Sequence, residues 1–216
     1  MDEDGSKDSH QGLYVDGMVY TSDSQALIDQ FQGEMKKKFN MADLGLIRYF
    51  LGLEIHQSIG GVFLSQTWYI EDLLRELNMK QYRHADTPMG INEKFLDEDE
   101  AKFIDAKVYR SLIGKLLYVV HTRPDICYAV NFLSRFMSRP NVKHLCAAKR
   151  VVKYLAGTLK LGLFYPNRSE KCLEGFTDSE WGGSLNNRKS TSGMFFRLCS
   201  CAITWGSKKQ DVVALS

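Results

Sequence analysis

No pair of cysteines in this sequence shows the C-x-x-C spacing of a metal or redox site, and none of its five histidines stands at zinc-ligand spacing. Its five cysteines, Cys127, Cys146, Cys172, Cys199 and Cys201, are spread thinly over 216 residues. An odd number in a chain that is neither small nor cysteine-dense argues against a disulfide-stapled secreted scaffold, and reduced thiols in an intracellular protein are expected. Also lacking is any apolar run near the roughly 20 residues a membrane span needs. The longest candidate, Leu112 to Val120, is interrupted by Lys115. The N-terminus, residues 1–11, is acidic and polar, the opposite of a signal or transit peptide, and reads as a disordered lead-in. An intracellular location, cytoplasmic or nuclear, with no membrane partner is therefore expected. An excess of either charge is lacking as well: 28 basic residues face 26 acidic ones, for a net charge of +2. So small a balance does not by itself imply a nucleic-acid partner, and any basic surface has to come from local clustering.

Hydrophobic residues at 44% and charged residues at 25% suit a soluble globular chain of one large or two small domains. In Gly12 to Tyr20, β-formers flank Asp16-Gly17, a strong hairpin signal. Ser24 stands where it can cap a helix with Leu27, Phe31, Met35 and Phe39 along one stripe and Lys36, Lys37 and Lys38 at its negative end. Tyr49 to His56 and Val62 to Ser65, split by Gly60-Gly61, predict a second hairpin. Thr67 is expected to cap a short helix that turns Ile70, Leu73, Leu74 and Leu77 inward, and residues 87–100 read as a loop.

Three further helices follow. The first, about 106–121, presents Val108, Leu112, Leu116 and Val119; the second starts near Pro124 and buries Ile126, Val130, Leu133 and Met137. The third, about 142–156, presents Leu145, Ala148, Val152 and Leu155 and is expected to end at Gly157 in a left-handed cap. After Pro166 the period becomes that of strands: Leu173 to Trp181, Thr191 to Leu198 and Ala202 to Ser207. With no closing helix after Ser216, these strands read as a sheet without a partner layer, cut short and poorly soluble.

Four groups of residues carry a family resemblance. Leu13-Tyr-Val-Asp-Gly17 resembles the polymerase hairpin of copia-type retrotransposons, usually Tyr-Val-Asp-Asp. Met41-Ala-Asp-Leu-Gly and Tyr49-Phe-Leu-Gly-Leu-Glu-Ile55 resemble the block that follows it. Tyr109-Arg-Ser-Leu-Ile-Gly-Lys-Leu-Leu-Tyr118, Thr122-Arg-Pro-Asp-Ile126 and Ala148-Lys-Arg-Val-Val-Lys-Tyr-Leu-Ala-Gly-Thr158 resemble the segment between polymerase and nuclease. Gly175-Phe-Thr-Asp-Ser-Glu-Trp181, Arg188-Lys-Ser-Thr-Ser-Gly193 and Ser207-Lys-Lys-Gln210 resemble the start of the ribonuclease H. The ordered series spans about residues 13–216 and is similar to the Pol polyprotein of copia-type elements, from the end of the reverse transcriptase into ribonuclease H.

The resemblance implies an α+β fold: residues 12–66 as the C-terminal part of a palm, 67–165 as thumb-like connecting helices, and 166–216 as a truncated ribonuclease H-like sheet. It implies Mg²⁺ as cofactor and a primer–template or an RNA–DNA hybrid as partner. Both activities use two divalent ions, roughly 3.5–4 Å apart, held by carboxylates. Asp16 matches the first hairpin aspartate of the polymerase, Gly17 stands where the second belongs, and the third would precede Met1. Asp178 matches the first ribonuclease H acid, whose partner glutamate would follow Ser216, with Glu180 the nearby carboxylate. Asp16 and Asp178 are thus expected as catalytic, metal-binding remnants of incomplete sites that do not hold the ion tightly. Without the resemblance, Asp16-Gly17 reads as a turn and Asp178 as a surface aspartate.

Nucleic-acid binding is expected of two cationic groups. Lys143, Lys149, Arg150 and Lys153, with Lys160 beyond them, lie on the last helix and its exit. Arg188, Lys189, Lys208 and Lys209, with Arg197, lie in a stretch free of acids from Trp181 to Gln210. Trp68, Trp181 and Trp205 are weaker candidates for base stacking. The expected function is a Pol fragment that is catalytically inactive alone and retains nucleic-acid binding. The alternatives are a host-recruited protein-binding scaffold, or an active ribonuclease H if the natural chain is longer.

Overall fold

The computed structural model describes residues 9–14, 17–90, 95, 101–167, 172–180 and 189–211. Two compact units divide the chain, Met1–Arg48 and Tyr49–Ser216. Among the described residues the fold is mixed, with five α-helices and three antiparallel sheets. None of these helices is long and apolar enough to cross a membrane.

The first unit holds β1 (Ser9–Tyr14), β2 (Gly17–Ser22) and helix α1 (Gln25–Lys38). The strands pair antiparallel from Ser9 opposite Ser22 to Tyr14 opposite Gly17. These strands form the hairpin expected around Asp16-Gly17, with Gly17 as the first residue of β2. Ser24 does sit at the N-cap with extended backbone, but its side chain makes no cap hydrogen bond. The apolar stripe of α1 leans on β2 through Phe31, whose ring centroid is 5.1 Å from that of Tyr20. No residue of α1 is buried.

The second unit opens on β3 (Tyr49–Phe50), β4 (Leu53–Ser58) and β5 (Gly61–Ser65), the expected hairpin, with Ser58 opposite Gly61. Sequence periodicity gave no strand at 163–166, yet β6 (Leu163–Pro166) pairs with β5 from Leu64 opposite Leu163 to Gly61 opposite Pro166. The sheet order is β3-β4-β5-β6. Two glycines permit this closure. A Cβ at Gly61, where φ is +148°, would collide with the backbone at Tyr165, and one at Gly162 would collide with the Leu64 carbonyl. A strand paired across nearly a hundred residues leaves no local trace.

Helices α2 (Thr67–Glu76), α3 (Ala106–Val119), α4 (Cys127–Ser134) and α5 (Val142–Gly157) build the core, with a 3-10 turn at Pro124–Ile126 leading into α4. Ile70, Leu73, Leu112, Ile113, Leu116, Val119, Val130, Leu133, Ala148, Val151, Val152 and Leu155 are all buried in one cluster. Three expectations need correction. The inner face of α3 includes Tyr109, with Val108 58% exposed, because 109, 112, 113, 116 and 119 follow the 3.6-residue period more closely. Tyr109 is tolerated inside since its hydroxyl donates to the Leu133 carbonyl at 2.9 Å. Helix α2 is capped at Gln66, while the Thr67 hydroxyl donates to the Leu159 carbonyl at 3.1 Å. Helix α5 runs through Gly157 and ends at Thr158 with φ −130°, so no left-handed cap forms. The Thr158 hydroxyl instead turns back to the Tyr154 carbonyl at 2.8 Å.

The last sheet comprises β7 (Leu173–Glu180), β8 (Thr191–Leu198) and β9 (Cys201–Lys209) in that order. It was expected to lack a partner layer, but it rests on the helical block. The Trp205 indole donates to the Val120 carbonyl at 3.0 Å, and Arg135 donates to the Thr191 hydroxyl at 3.0 Å. The Tyr165 hydroxyl reaches back from β6 to the Ala202 carbonyl at 2.9 Å.

Candidate catalytic remnants and cationic surface

Asp16 lies outside the described residues. Its neighbour Gly17, at the start of β2, presents no side chain to a cation. Asp178 lies on β7, exposed, opposite Gly193, which in turn pairs with Ser207 on β9. Paired residues of an antiparallel sheet share a face, so the cross-strand neighbours of Asp178 bring no carboxylate to it. The register sets Glu180 opposite Thr191. Among the described residues no group of three or more histidines, cysteines or acids is placed to hold a metal ion. A two-ion site needs several hard oxygen ligands together. The described residues do not fit such a site.

The cations of α5 divide by their contacts. Lys143 and Lys149 are exposed. Arg150 donates to the carbonyl and hydroxyl of Thr87 at 3.2 and 2.9 Å. The Lys153 ammonium lies 5.3 Å from the centre of the Tyr82 ring, and the Lys153 carbonyl accepts from Ala85 N–H at 3.5 Å. Arg150 and Lys153 thus pin the segment after α2 against the helix. In the second group Lys208 is exposed, opposite Ser192, and Lys209 lies opposite Thr191. Lys189 donates to the Asp211 carbonyl at 2.5 Å. Arg188 and Trp181 lie outside the described residues. Arg197 is neutralised by an acid that sequence order hides: Glu174, directly across the sheet, accepts from it at 2.6 and 3.0 Å. That bidentate pair holds the Glu174 carboxyl below its usual range. Trp205 is spent on Val120, while Trp68 is 61% exposed beside Tyr49, ring centroids 5.9 Å apart.

The strongest polar constellation was missed from sequence. Arg123, only 1% exposed, donates from Nε to Asp125 Oδ1 at 2.9 Å and from Nη2 to Oδ2 at 2.6 Å. The remaining face of its guanidinium binds the Thr158 carbonyl at 3.0 Å and hydroxyl at 2.7 Å. Tyr154 donates its hydroxyl to Asp125 Oδ2 at 2.8 Å. Burial alone would raise the Asp125 carboxyl, yet the hydrogen bonds and charge of Arg123, aided by Tyr154, hold it below the ordinary range. Beside this network, Thr122 donates to Gln66 Oε1 at 2.7 Å, and Gln66 Nε2 donates to the Tyr118 carbonyl at 3.3 Å. The blocks Thr122-Arg-Pro-Asp125 and Tyr154-Leu-Ala-Gly-Thr158 are thus two halves of one buried joint between the α3–α4 turn and the end of α5. An arginine and an aspartate flanking a proline were the signal available in the sequence.

Residues 2–91 match the family model described as reverse transcriptase (RNA-dependent DNA polymerase). The chain is 37% identical over 204 residues to the retrovirus-related Pol polyprotein from transposon RE1 of Arabidopsis thaliana, covering 94% of this chain and 14% of that protein. It is 38% identical over 213 residues to the Pol polyprotein from transposon TNT 1-94 of Nicotiana tabacum, covering 94% of this chain and 16% of that one. It is 36% identical to an uncharacterized mitochondrial protein of Arabidopsis thaliana, of which it covers 85%. No solved structure matches the chain. The chain thus spans about a seventh of the length of the transposon polyproteins it matches, while the match to one of them covers 94% of its own residues. On these grounds it belongs to the reverse transcriptase family of copia-type retrotransposon Pol polyproteins.

Proposed function

We propose that the chain is a non-catalytic Pol segment that binds the phosphate backbone of a primer–template or RNA–DNA hybrid. In this reading β1–β6 are the end of the palm, α2–α5 the thumb-like connection, and β7–β9 the opening sheet of a ribonuclease H-like domain. The observation that carries the inactivity is Gly17, which stands at the head of β2, paired with Tyr14, where the polymerase chemistry asks for a second carboxylate. Asp178, with Gly193 and Ser207 as its cross-strand neighbours, supports the same reading for the nuclease. Lys149 and Lys208 are exposed cations that suit sequence-independent contact with phosphates. Arg150, Lys153 and Arg197 serve packing first.

The test combines turnover and binding. Primer extension and hybrid cleavage with Mg²⁺ should both stay at background, and a labelled hybrid should bind with an affinity that falls steeply with salt. Lys149→Ala and Lys208→Ala should each reduce the slope of log affinity against log salt by about 1. Mg²⁺-dependent turnover would return the chain to the enzymes. Binding indifferent to salt would remove phosphate recognition and favour a protein-binding scaffold.

A further inference from the structure

All five cysteines are free thiols, and the strand register sets two of them against each other. Leu173 of β7 pairs with Leu198 of β8, and Cys172 and Cys199 stand one residue beyond these two strand ends. A backbone hydrogen bond links them: Cys199 N–H donates to the Cys172 carbonyl at 2.9 Å. Hydrogen-bonded residues facing each other across antiparallel strands have Cα atoms about 5.5 Å apart. A disulfide spans Cα separations of roughly 4.4–6.8 Å, a range that includes that spacing.

Local conformation fixes one partner. Cys199 and Ser200 form the two-residue connection between β8 and β9, with φ of +56° and +68°. Positive φ at both central positions is the type I′ hairpin turn, which normally selects asparagine and glycine. Cys199 occupies this sparsely populated conformation because the pairing on both sides imposes it. Cys172 is exposed and Cys199 half-exposed, so both are open to a soluble oxidant. Cys201, the other cysteine of this corner, is buried, and its thiol points at the Cys199 carbonyl at 3.5 Å.

We propose that Cys172 and Cys199 are a modification site: a thiol pair that closes into a cross-strand disulfide when exposed to a disulfide oxidant such as oxidised glutathione. The thiolate of one cysteine attacks the oxidant, forming a mixed disulfide and releasing one glutathione. The second cysteine then attacks the protein sulfur of that mixed disulfide, the Cys172–Cys199 bond forms, and the second glutathione leaves. The two protein thiols lose two electrons and two protons, and both end on the released glutathione molecules. The bond ties the start of β7, the strand that bears Asp178, to the turn joining β8 and β9.

The experiment is a non-reducing peptide map of the folded full-length chain after incubation with oxidised glutathione and quenching by alkylation. The expected result is a monomer lighter by two hydrogens, with peptides holding Cys172 and Cys199 joined. Cys172→Ser and Cys199→Ser should each abolish that product and leave a glutathione adduct on the remaining thiol. Cys146→Ser, on the exposed side of α5, should leave it unchanged. Adducts alone at Cys172 and Cys199 in the unsubstituted chain, or a Cys199–Cys201 bond in its place, would overturn the proposal.

Discussion

Helices α1 and α5 are close in length, 14 and 16 residues, and each carries an apolar stripe at helical spacing. Yet α1 buries no residue, while α5 buries His144, Ala147, Ala148, Val151, Val152 and Leu155. A period of 3.6 residues says that a helix has a face; what that face meets decides how much it contributes. Within its own unit α1 leans on a two-stranded hairpin through Tyr20 and Phe31, whereas α5 is packed against α2, α3 and α4. The same contrast runs through the polar groups. In the first unit the hydrogen-bonded side chains include exposed pairs, such as Gln25 donating to Asp29 at 2.8 Å along the surface of α1. In the second they include a guanidinium that is 1% exposed.

That guanidinium offers the largest effect with which to test the contrast. Removing one partner of a buried ion pair leaves the other charge uncompensated, at a cost of about 3–5 kcal/mol. Asp125→Ala should lower the stability of the second unit by that amount in a urea titration, with little change in hydrogen exchange of α1. Acid adds a signature. The Asp125 carboxyl sits below its ordinary 3.8 in the folded chain, so the unfolded state binds more protons in this range. Its contribution is fully present above the ordinary value and is lost as pH falls through the depressed one. The Asp125→Ala chain should lack that part of the acid transition. An unchanged acid limb would remove Asp125 from the stability argument.

The second test compares the two apolar faces directly. Leu155, fully buried on the inner face of α5, should cost about 2–5 kcal/mol when cut to alanine, through lost transfer energy and the cavity left behind. Phe31→Ala removes a ring that touches Tyr20 but is not buried, and should cost about 1 kcal/mol. Native-state hydrogen exchange reads each unit separately. Equal losses would mean that α1 is as well packed as α5, contrary to the contrast above.

What was legible in the sequence follows the same line. The helices, both hairpins and the three last strands announce themselves by local period and turn chemistry, as does most of the helical core. The elements that escaped depend on residues far apart. β6 is a strand because Gly61 and Gly162 admit its backbone beside β5. The Arg123 joint needs Tyr154 and Thr158 from the end of another helix. In the candidate sites, sequence alone told which residue types stand at Gly17 and Asp178, since a missing carboxylate needs no structure to detect. It did not tell which cations are available, because Glu174, Thr87 and Tyr82 reach Arg197, Arg150 and Lys153 only through the fold.

The smallest expected effect separates the helices at their first turn. Asn141 and Ser24 are both good N-cap residues, and both precede their helices with extended backbone. Only Asn141 acts as one: its side-chain oxygen accepts from His144 N–H at 3.1 Å, and His144 Nδ1 accepts from Asn141 N–H at 3.1 Å. This is a capping box with histidine in the place usually taken by glutamate or glutamine. The box is fixed by its surroundings, since Asn141 and His144 are each 1% exposed and the His144 ring stacks on Phe136 at 4.0 Å. Asn141→Ala should therefore cost about 1–2 kcal/mol, with Asn141→Asp restoring most of it because the acceptor is retained. At α1 the serine oxygen makes no cap bond, so Ser24→Ala should change stability by no more than a few tenths of a kcal/mol, about the effect of an ordinary surface substitution. Thermal melts of the three variants decide the point. A Ser24→Ala loss as large as that of Asn141→Ala would show that the first helix is capped in solution, and that the contrast between the units lies in their apolar faces alone.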